Sequence, residues 1–269
     1  MKIEVLLATM HQKDFSFLEK MNIQTDVLVI NQCDEEKIEE IQFRGHHVKM
    51  IYTKERGLSR SRNMALKNAT GDICVIADDD VCYYDDLEKN IQDAFNECKD
   101  ADIISFSAKR ILKDGMTQET FRKKNVVKRN LFTVGKVTSY EIAFIRKKVL
   151  ASGILFDINF GTGSGRVLHG EENIFLRDCI RKGLKIYSYP KCILEVMAIE
   201  SSWFRGYDQK FFEDYGAINA RSMGIFSLML ILLNVIRKYP LYKNTLTPFA
   251  VLQLMCKGEK KWRKEYSKG

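Results

Sequence analysis

Gly71-Asp72-Ile73-Cys74-Val75-Ile76-Ala77-Asp78-Asp79-Asp80 is an apolar run bounded by Gly-Asp that ends abruptly in three consecutive aspartates. Its Ile, Val and Cys residues read as a buried strand, and in open α/β sheets ligands bind at the carboxyl ends of such strands. Adjacent carboxylates repel one another, so a cation is expected among them. Oxygen-only ligands suit Mg²⁺ or Mn²⁺, which commonly bridge one or two carboxylates to a substrate's phosphates. The alternative is that the acidic run serves the N-terminus of the next helix, expected over Asp85 to Lys99, although Asp85 and Asp86 already supply that charge.

Outward from this strand, Ile3 to Ala8, Val27 to Asn31 and His47 to Tyr52 are further short apolar runs. Helical patterns separate them at Phe15 to Met21, Glu35 to Phe43 and Ser59 to Asn68, and the alternation predicts βαβ units. Ile103 to Ser107 continues the series as a strand. Lys109 to Lys136, rich in Lys, Arg, Thr and Gly without period, predicts an excursion or mobile loop. Ser139 to Ile145 returns as a strand, and Glu171 to Lys182 predicts a helix stopped by Gly183, followed by strand Lys185 to Tyr189.

The C-terminal part differs. Ile225 to Ile236 is a mostly apolar run followed by Arg237-Lys238-Tyr239 and falls short of the roughly 20 residues that cross a bilayer. It reads either as a buried packing helix or as a helix lying in a membrane interface. Phe249 to Cys256 with the tail Lys260-Lys261-Trp262-Arg263-Lys264 repeats the apolar-then-basic arrangement.

With 269 residues and 45% hydrophobic content, the chain can bury a sizeable core and is not disordered. Met1 to Met10 carries Glu4 and lacks a basic leader and a small-residue cleavage site, so a cytosolic protein is expected. Seven cysteines without a Cys-x-x-Cys pair fit free thiols in a reducing compartment. Asn68-Ala69-Thr70 matches a glycosylation sequon but reads as a helix end. The 43 Lys and Arg against 35 Asp and Glu give a net charge of +8, which favours anionic partners. The excess gathers in Lys109 to Arg129, Arg146-Lys147-Lys148 and Lys257 to Lys268. Nucleic acid is not expected, since no helix-turn-helix, zinc or aromatic-basic motif accompanies the charge.

Two further stretches carry chemistry. In Arg56-Gly57-Leu58-Ser59-Arg60-Ser61-Arg62-Asn63, Gly57 permits a tight turn before a helix whose free N–H groups and arginines suit a diphosphate. In Phe160-Gly161-Thr162-Gly163-Ser164-Gly165, a glycine-rich loop precedes His169-Gly170-Glu171-Glu172-Asn173, where paired glutamates open a helix and one can be held near a substrate hydroxyl.

In this order, the three elements resemble the inverting family 2 glycosyltransferases with the nucleotide-sugar-binding GT-A fold, over about Ile3 to Tyr189. The resemblance implies a mixed α/β sheet flanked by helices, with a GT-A domain at 1–195, divided into a nucleotide-binding half at 1–108 and an acceptor half at 109–195. Beyond it, 196–269 is expected to be a helical C-terminal extension that either associates with a membrane or packs internally. It implies donor binding by Thr9, Asn31, Gly57, Arg62, Asp78 and Asp79, with Asn31 standing where most members carry a uracil-reading Asp. Asp78 and Asp80 fall on the family's metal-binding Asp-x-Asp, for Mn²⁺ or Mg²⁺. Gly170-Glu171-Glu172 stands for its Gly-Glu-Asp, with Glu172 as catalytic base beside Glu171. Val196-Met197-Ala198 occupies the place where many relatives have a His.

The resemblance further implies metal-dependent, inverting transfer of a sugar from a nucleotide diphosphate donor, expected to be a UDP-sugar, to a glycan acceptor. Within the family, the likeness is to bacterial enzymes of capsule or surface-polysaccharide assembly, whose acceptors are often lipid-diphosphate-linked. The basic excursion and the two C-terminal apolar-basic segments suit such an acceptor, and peripheral attachment to the inner membrane face is expected from them. The rival enzyme class is a nucleotidyltransferase or other phosphoryl-transfer enzyme, which uses the same kind of acidic metal site.

Overall fold

The structure, a computed structural model, describes residues 1–112, 114–121, 123–197 and 206–265. Ala198 and residues 266–268 of the basic tail lie outside the described residues, as do positions 113 and 122 of the excursion. The first half runs β1 (Ile3–Met10), α1 (Phe17–Lys20), β2 (Asp26–Gln32), β3 (Lys37–Phe43), β4 (His46–Thr53), α2 (Leu58–Asn68), β5 (Ile73–Asp78), β6 (Val81–Tyr83), α3 (Leu87–Glu97) and β7 (Ile103–Ile111). The second half adds β8 (Thr117–Glu119), β9 (Val127–Lys128), β10 (Ile142–Ile145), α4 (Arg146–Ser152), α5 (Glu171–Arg181), β11 (Ile186–Met197), α6 (Gln209–Met223), α7 (Ser227–Tyr242) and α8 (Pro248–Glu265).

These strands form one mixed sheet of eleven, ordered β3-β4-β2-β1-β5-β10-β7-β11-β6, with β8 on β7 and β9 on β11. Strands β4, β2, β1 and β5 are parallel, whereas β10 runs antiparallel between β5 and β7. Successive side chains of a strand point to opposite faces, and here both faces are covered. Val5, Leu7, Val29 and Val75 join Leu18, Leu87 and Ile91 of α1 and α3 on one side. Leu6, Ile30, Cys74 and Ile76 join Leu66 of α2 and Phe175 and Leu176 of α5 on the other. Burial on both faces explains why these strands read as continuous apolar runs. This is the expected α/β architecture of GT-A type, with a helical C-terminal region.

Three expectations change. Glu35 to Phe43 is not a helix: Lys37–Phe43 is an edge strand antiparallel to β4, with Phe43 opposite His46. Arg44 and Gly45 both have positive φ (51° and 84°), the two-residue turn that suits a twisted hairpin. The spacing of Ile38 and Ile41 imitates a helical face, but the strand's charged outer side chains protect a sheet edge. In Ser139 to Ile145, residues Ser139–Glu141 form a 3-10 turn and only Ile142–Ile145 pair in the sheet. The excursion is partly structured, since β7 extends through Ile111 and pairs with β8, while β9 pairs with β11. The sheet is continuous across residues 108 and 195, which lie within β7 and β11.

The C-terminal helices form their own packed layer. A Cβ at Gly216 would lie 2.0 Å from the Met255 carbonyl oxygen, and one at Gly258 would lie 1.8 Å from that of Glu213, so α6 and α8 cross backbone to backbone. Residues Gln209–Tyr242 contain an 18-residue window of mean hydropathy 1.6, long and apolar enough to cross a membrane by length and composition alone. The chain turns within it at Gly224, between α6 and α7. Ile231, Val235 and Tyr242 of α7 are buried against Phe212, Val251 and Met255. Its other face is exposed, with Ile225 just ahead of the helix 87% and Ile236 73% accessible. The apolar run is therefore neither wholly buried nor wholly free.

Candidate active site

The carboxyl ends of β1, β2 and β5 bring the first group of residues together. Parallel register sets Ala8 beside Asp78 and Thr9 beside Asn31. The buried Thr9 hydroxyl donates to Asp79, and the Gln12 amide N–H donates both to Thr9 Oγ1 (3.0 Å) and to Asp79 Oδ2 (3.3 Å). Asn31, wholly buried, is held at both ends by one residue: Gln12 N donates to Asn31 Oδ1 (3.1 Å), and Asn31 Nδ2 donates to the Gln12 carbonyl (2.8 Å). An amide satisfies that donor-and-acceptor pair and a carboxylate does not.

The second group gathers around α2. Gly57, at φ +118°, is the residue before its first turn, and the Gly57 N–H donates to Gln32 Oε1 (2.6 Å). The glycine-rich loop is clamped against this turn: the Leu58 N–H donates to the Thr162 carbonyl (2.9 Å) and Ser59 Oγ to the Phe160 carbonyl (2.7 Å). A Cβ at Gly163 would lie 3.1 Å from Gly57 Cα, so both glycines serve a close backbone approach. Asn63 exchanges two 2.8 Å hydrogen bonds with the backbone of Phe156. The Leu58 N–H, expected to be open to a diphosphate, is thus engaged within the protein.

Arg62 ties the groups together. Its guanidinium, in a side chain only 4% accessible, donates from Nη2 to Asp78 Oδ1 (3.0 Å) and from Nη1 to Glu171 Oε1 (2.7 Å). Ser139, brought in by the 3-10 turn, donates to the other Asp78 oxygen (3.1 Å). Gly170, at φ +89°, leads into α5 and sets Glu171 and Glu172 in its first turn. Burial, then the neighbouring Glu171, pushes the Glu172 carboxyl well above the ordinary carboxylate range.

Asp78, Asp80, Arg62, Glu171 and Glu172 line one cleft of about 310 Å³, in the size range of small-molecule sites. Thr9, Asn31, Gly57 and Asp79 stand behind or beside it through the contacts above. Asp80 has no cationic partner among the described residues, and partial burial together with Asp78 and Asp79 raises its carboxyl to about 6. Arg110, at the end of β7, lines the same cleft and forms no ion pair among the described residues. Its position within a long basic run gave the sequence no means of singling it out. Gln12, Gln32 and Ser139 carry no motif signal, because their roles come from register and from a turn.

No group of three or more His, Cys, Asp or Glu among the described residues forms a ready metal cage. A hard cation held by one or two carboxylates plus substrate phosphates does not need one. The uncompensated negative charge around Asp80 fits such a cation. All seven cysteines are free thiols, as expected.

The sequence pattern described as Glycosyl transferase family 2 matches residues 16–154. No curated protein matches the chain by sequence. Among solved structures, S. aureus TarS 1–349 in complex with UDP-GlcNAc has a TM-score of 0.63 at 14% identity, covering 98% of this chain and 92% of that one. The same protein in complex with UDP has a TM-score of 0.63 at 13% identity, covering 100% and 93%. Identities this low speak to the fold alone, whereas the family pattern spans more than half of the chain and decides between sugar transfer and phosphoryl transfer. The chain belongs to glycosyl transferase family 2.

Proposed function

We propose that the protein is a metal-dependent inverting glycosyltransferase that moves a sugar from a UDP-sugar to a glycan acceptor. The observation that carries this reading is the single cleft lined by both Asp80, a carboxylate that forms no ion pair among the described residues, and Glu172, a carboxyl whose pKa is raised by burial and by Glu171. Two structures of the same fold, which bind UDP-GlcNAc and UDP, support a uridine diphosphate donor.

Asp80 and Asp78 would hold Mg²⁺ or Mn²⁺, which supplies charge neutralisation to a diphosphate leaving group. Arg110, which lines the same cleft, offers N–H donors to the diphosphate. Glu172 accepts the proton of the attacking acceptor hydroxyl, a contribution of about 10²- to 10⁴-fold. Attack from the face opposite the leaving group inverts the anomeric centre in one displacement. Glu171 is a positioning residue: it orients Arg62 and keeps negative charge beside Glu172. Thr9, Asn31 and Asp79 shape the nucleotide end, and Gly57 lets the glycine-rich loop close on it.

The acceptor is a lipid-linked glycan of bacterial surface or capsule polysaccharide assembly, and the enzyme sits peripherally on the inner membrane face. The exposed apolar side of α7, with Leu228, Leu232 and Ile236, supports that placement. Donor hydrolysis over UDP-, GDP- and dTDP-sugars with Mn²⁺ tests the activity. Turnover of a UDP-sugar that vanishes in Asp80→Ala is expected; turnover indifferent to metal and to Asp80 would overturn the metal role. Flotation without binding to anionic liposomes would sink the membrane placement.

A further inference from the structure

A second cleft opens on the far side of His169 and Gly170, which line both it and the catalytic cleft. Its walls come from α5, α6, α7 and the 3-10 turn Val134–Lys136, so it joins the transferase core to the helical C-terminal layer. Among the described residues, four cationic side chains line it, Lys136, Arg177, Arg237 and Lys238, and no acidic residue does.

Two of these cations are substantially buried and form no ion pair with a carboxylate among the described residues. Arg177, 7% accessible, donates Nε to the Leu131 carbonyl (3.0 Å) and Nη1 to Ser222 Oγ (3.3 Å), and forms no ion pair among the described residues. Gly135 makes room for it, since a Cβ there would lie 2.6 Å from Arg177 Nη2. Lys238 Nζ stands 4.6 Å from the centre of the Tyr215 ring and 5.8 Å from that of Phe211. Burial lowers the pKa of both, for Arg177 against the opposing pull of Tyr215 and the more distant Glu172. Asn219, 3% accessible, also lines the cleft, and its Nδ2 has no hydrogen-bond partner among the described residues.

Buried cations and an unused amide donor are costly unless an acceptor-only group meets them. The aromatic faces ease the Lys238 charge only in part. An anion with several oxygen acceptors suits a cleft lined by these donors, and tetrahedral phosphate offers acceptors in more directions than a planar carboxylate.

We propose that this cleft is a phosphate-binding subsite for the acceptor, holding a phosphate group on one side of His169 and Gly170 while an acceptor hydroxyl reaches Glu172 on the other. The proposal rests on the glycosyltransferase reading for the identity of the occupant as acceptor. The phosphate can belong to a lipid diphosphate or to a phosphodiester within the glycan.

Calorimetry on the full chain, saturated with UDP and Mn²⁺ to occupy the donor side, tests this with three probes: inorganic phosphate, geranyl diphosphate and dimethyl phosphate. Acetate serves as the control at equal ionic strength. Binding weakened about tenfold in Lys238→Met, the scale of one charge-assisted hydrogen bond, and retained in Lys238→Arg, is expected. Preference for geranyl diphosphate identifies a lipid carrier, and preference for dimethyl phosphate a phosphodiester. Melting temperatures add a readout that mere structural damage does not give: Lys238→Met melts no lower than the native chain without phosphate, yet gains no stability when phosphate is added. Equal phosphate binding by native chain and Lys238→Met, no binding by either, or equal binding of acetate would overturn the proposal. Failure of UDP to bind would strike at the donor reading instead, while the phosphate comparison between variants still stands.

Discussion

Arg62 and Glu171 lie 109 residues apart in the chain and meet through a 2.7 Å hydrogen bond, with both side chains almost inaccessible. The same guanidinium reaches Asp78, so helix α2 fixes the spacing between the acidic strand end and the glutamate pair on α5.

Removing Arg62 leaves two carboxylates at the site without their cation. Arg62→Met is expected to cost about 3–5 kcal/mol of stability, the range for breaking a buried pair from one side. Arg62→Lys does not restore it, since a single ammonium lacks the guanidinium's planar fork. Urea unfolding of both variants measures this, and a loss under about 1 kcal/mol, the scale of an exposed pair, would show that the bridge is not desolvated.

Asp80→Ala behaves in the opposite way. Among the described residues Asp80 has no cationic partner to lose, and it has two acidic neighbours to relieve, so the variant melts at the native temperature or higher. Mn²⁺ binding, followed by electron paramagnetic resonance in the presence of UDP, is expected to weaken at least about tenfold, a loss of 1.4 kcal/mol or more. Native affinity in the variant would move the metal away from this strand end.

Glu172→Gln is expected to lower transfer about 10²- to 10⁴-fold while UDP binding persists. Because the Glu172 pKa is raised, the basic form accumulates only above the ordinary carboxyl value of about 4.3, and the acid limb of kcat/KM shifts upward accordingly. The stability sign follows from the same shift. A carboxyl whose folded pKa exceeds its unfolded one stabilises the fold fully below the unfolded pKa and ceases to do so as pH rises through the folded one. Glu172→Gln should therefore gain on the native chain as pH increases through that window, and a stability difference flat with pH would contradict the shift.

Asn31→Asp sets a carboxylate oxygen against the Gln12 carbonyl that the amide N–H now satisfies. A loss of about 1–3 kcal/mol is expected for the buried mismatch. Asn31→Asp should regain part of it on acidification, when the protonated acid can donate again. Melting curves at two pH values read this directly.

Gly216→Ala tests the C-terminal layer. Its Cβ would fall 2.0 Å from the Met255 carbonyl oxygen, a contact only helix displacement can relieve. A loss of at least about 1–3 kcal/mol is expected, and calorimetric melting of the full chain detects it.

Local pattern was enough for much of the fold. Strands β1, β2 and β5 are apolar runs because both sheet faces bury them, β4 alternates because mainly one face is buried, and Asp78-Asp79-Asp80, Gly57 and Gly170-Glu171-Glu172 are legible as motifs at the ends of elements. The edge strand β3 was not, because two isoleucines three apart suit a helix as well as a strand, and only pairing with β4 chooses. Pairing likewise put β10 between β5 and β7.

The sequence by itself determined which residue types stand at strand and helix ends, since hydrophobic period and turn chemistry are local properties. Only the tertiary structure decided how those residues are used. Arg62 reads as a free cation beside a helix start, and long-range packing turns it inward as the bridge between Asp78 and Glu171. Arg110 is one of many basic residues until β7 carries it to the cleft, and Asn31 looks exposed to ligand until Gln12 closes over it. Charge, burial and hydrogen-bond satisfaction depend on neighbours distant in sequence, and those neighbours exist only in the folded chain.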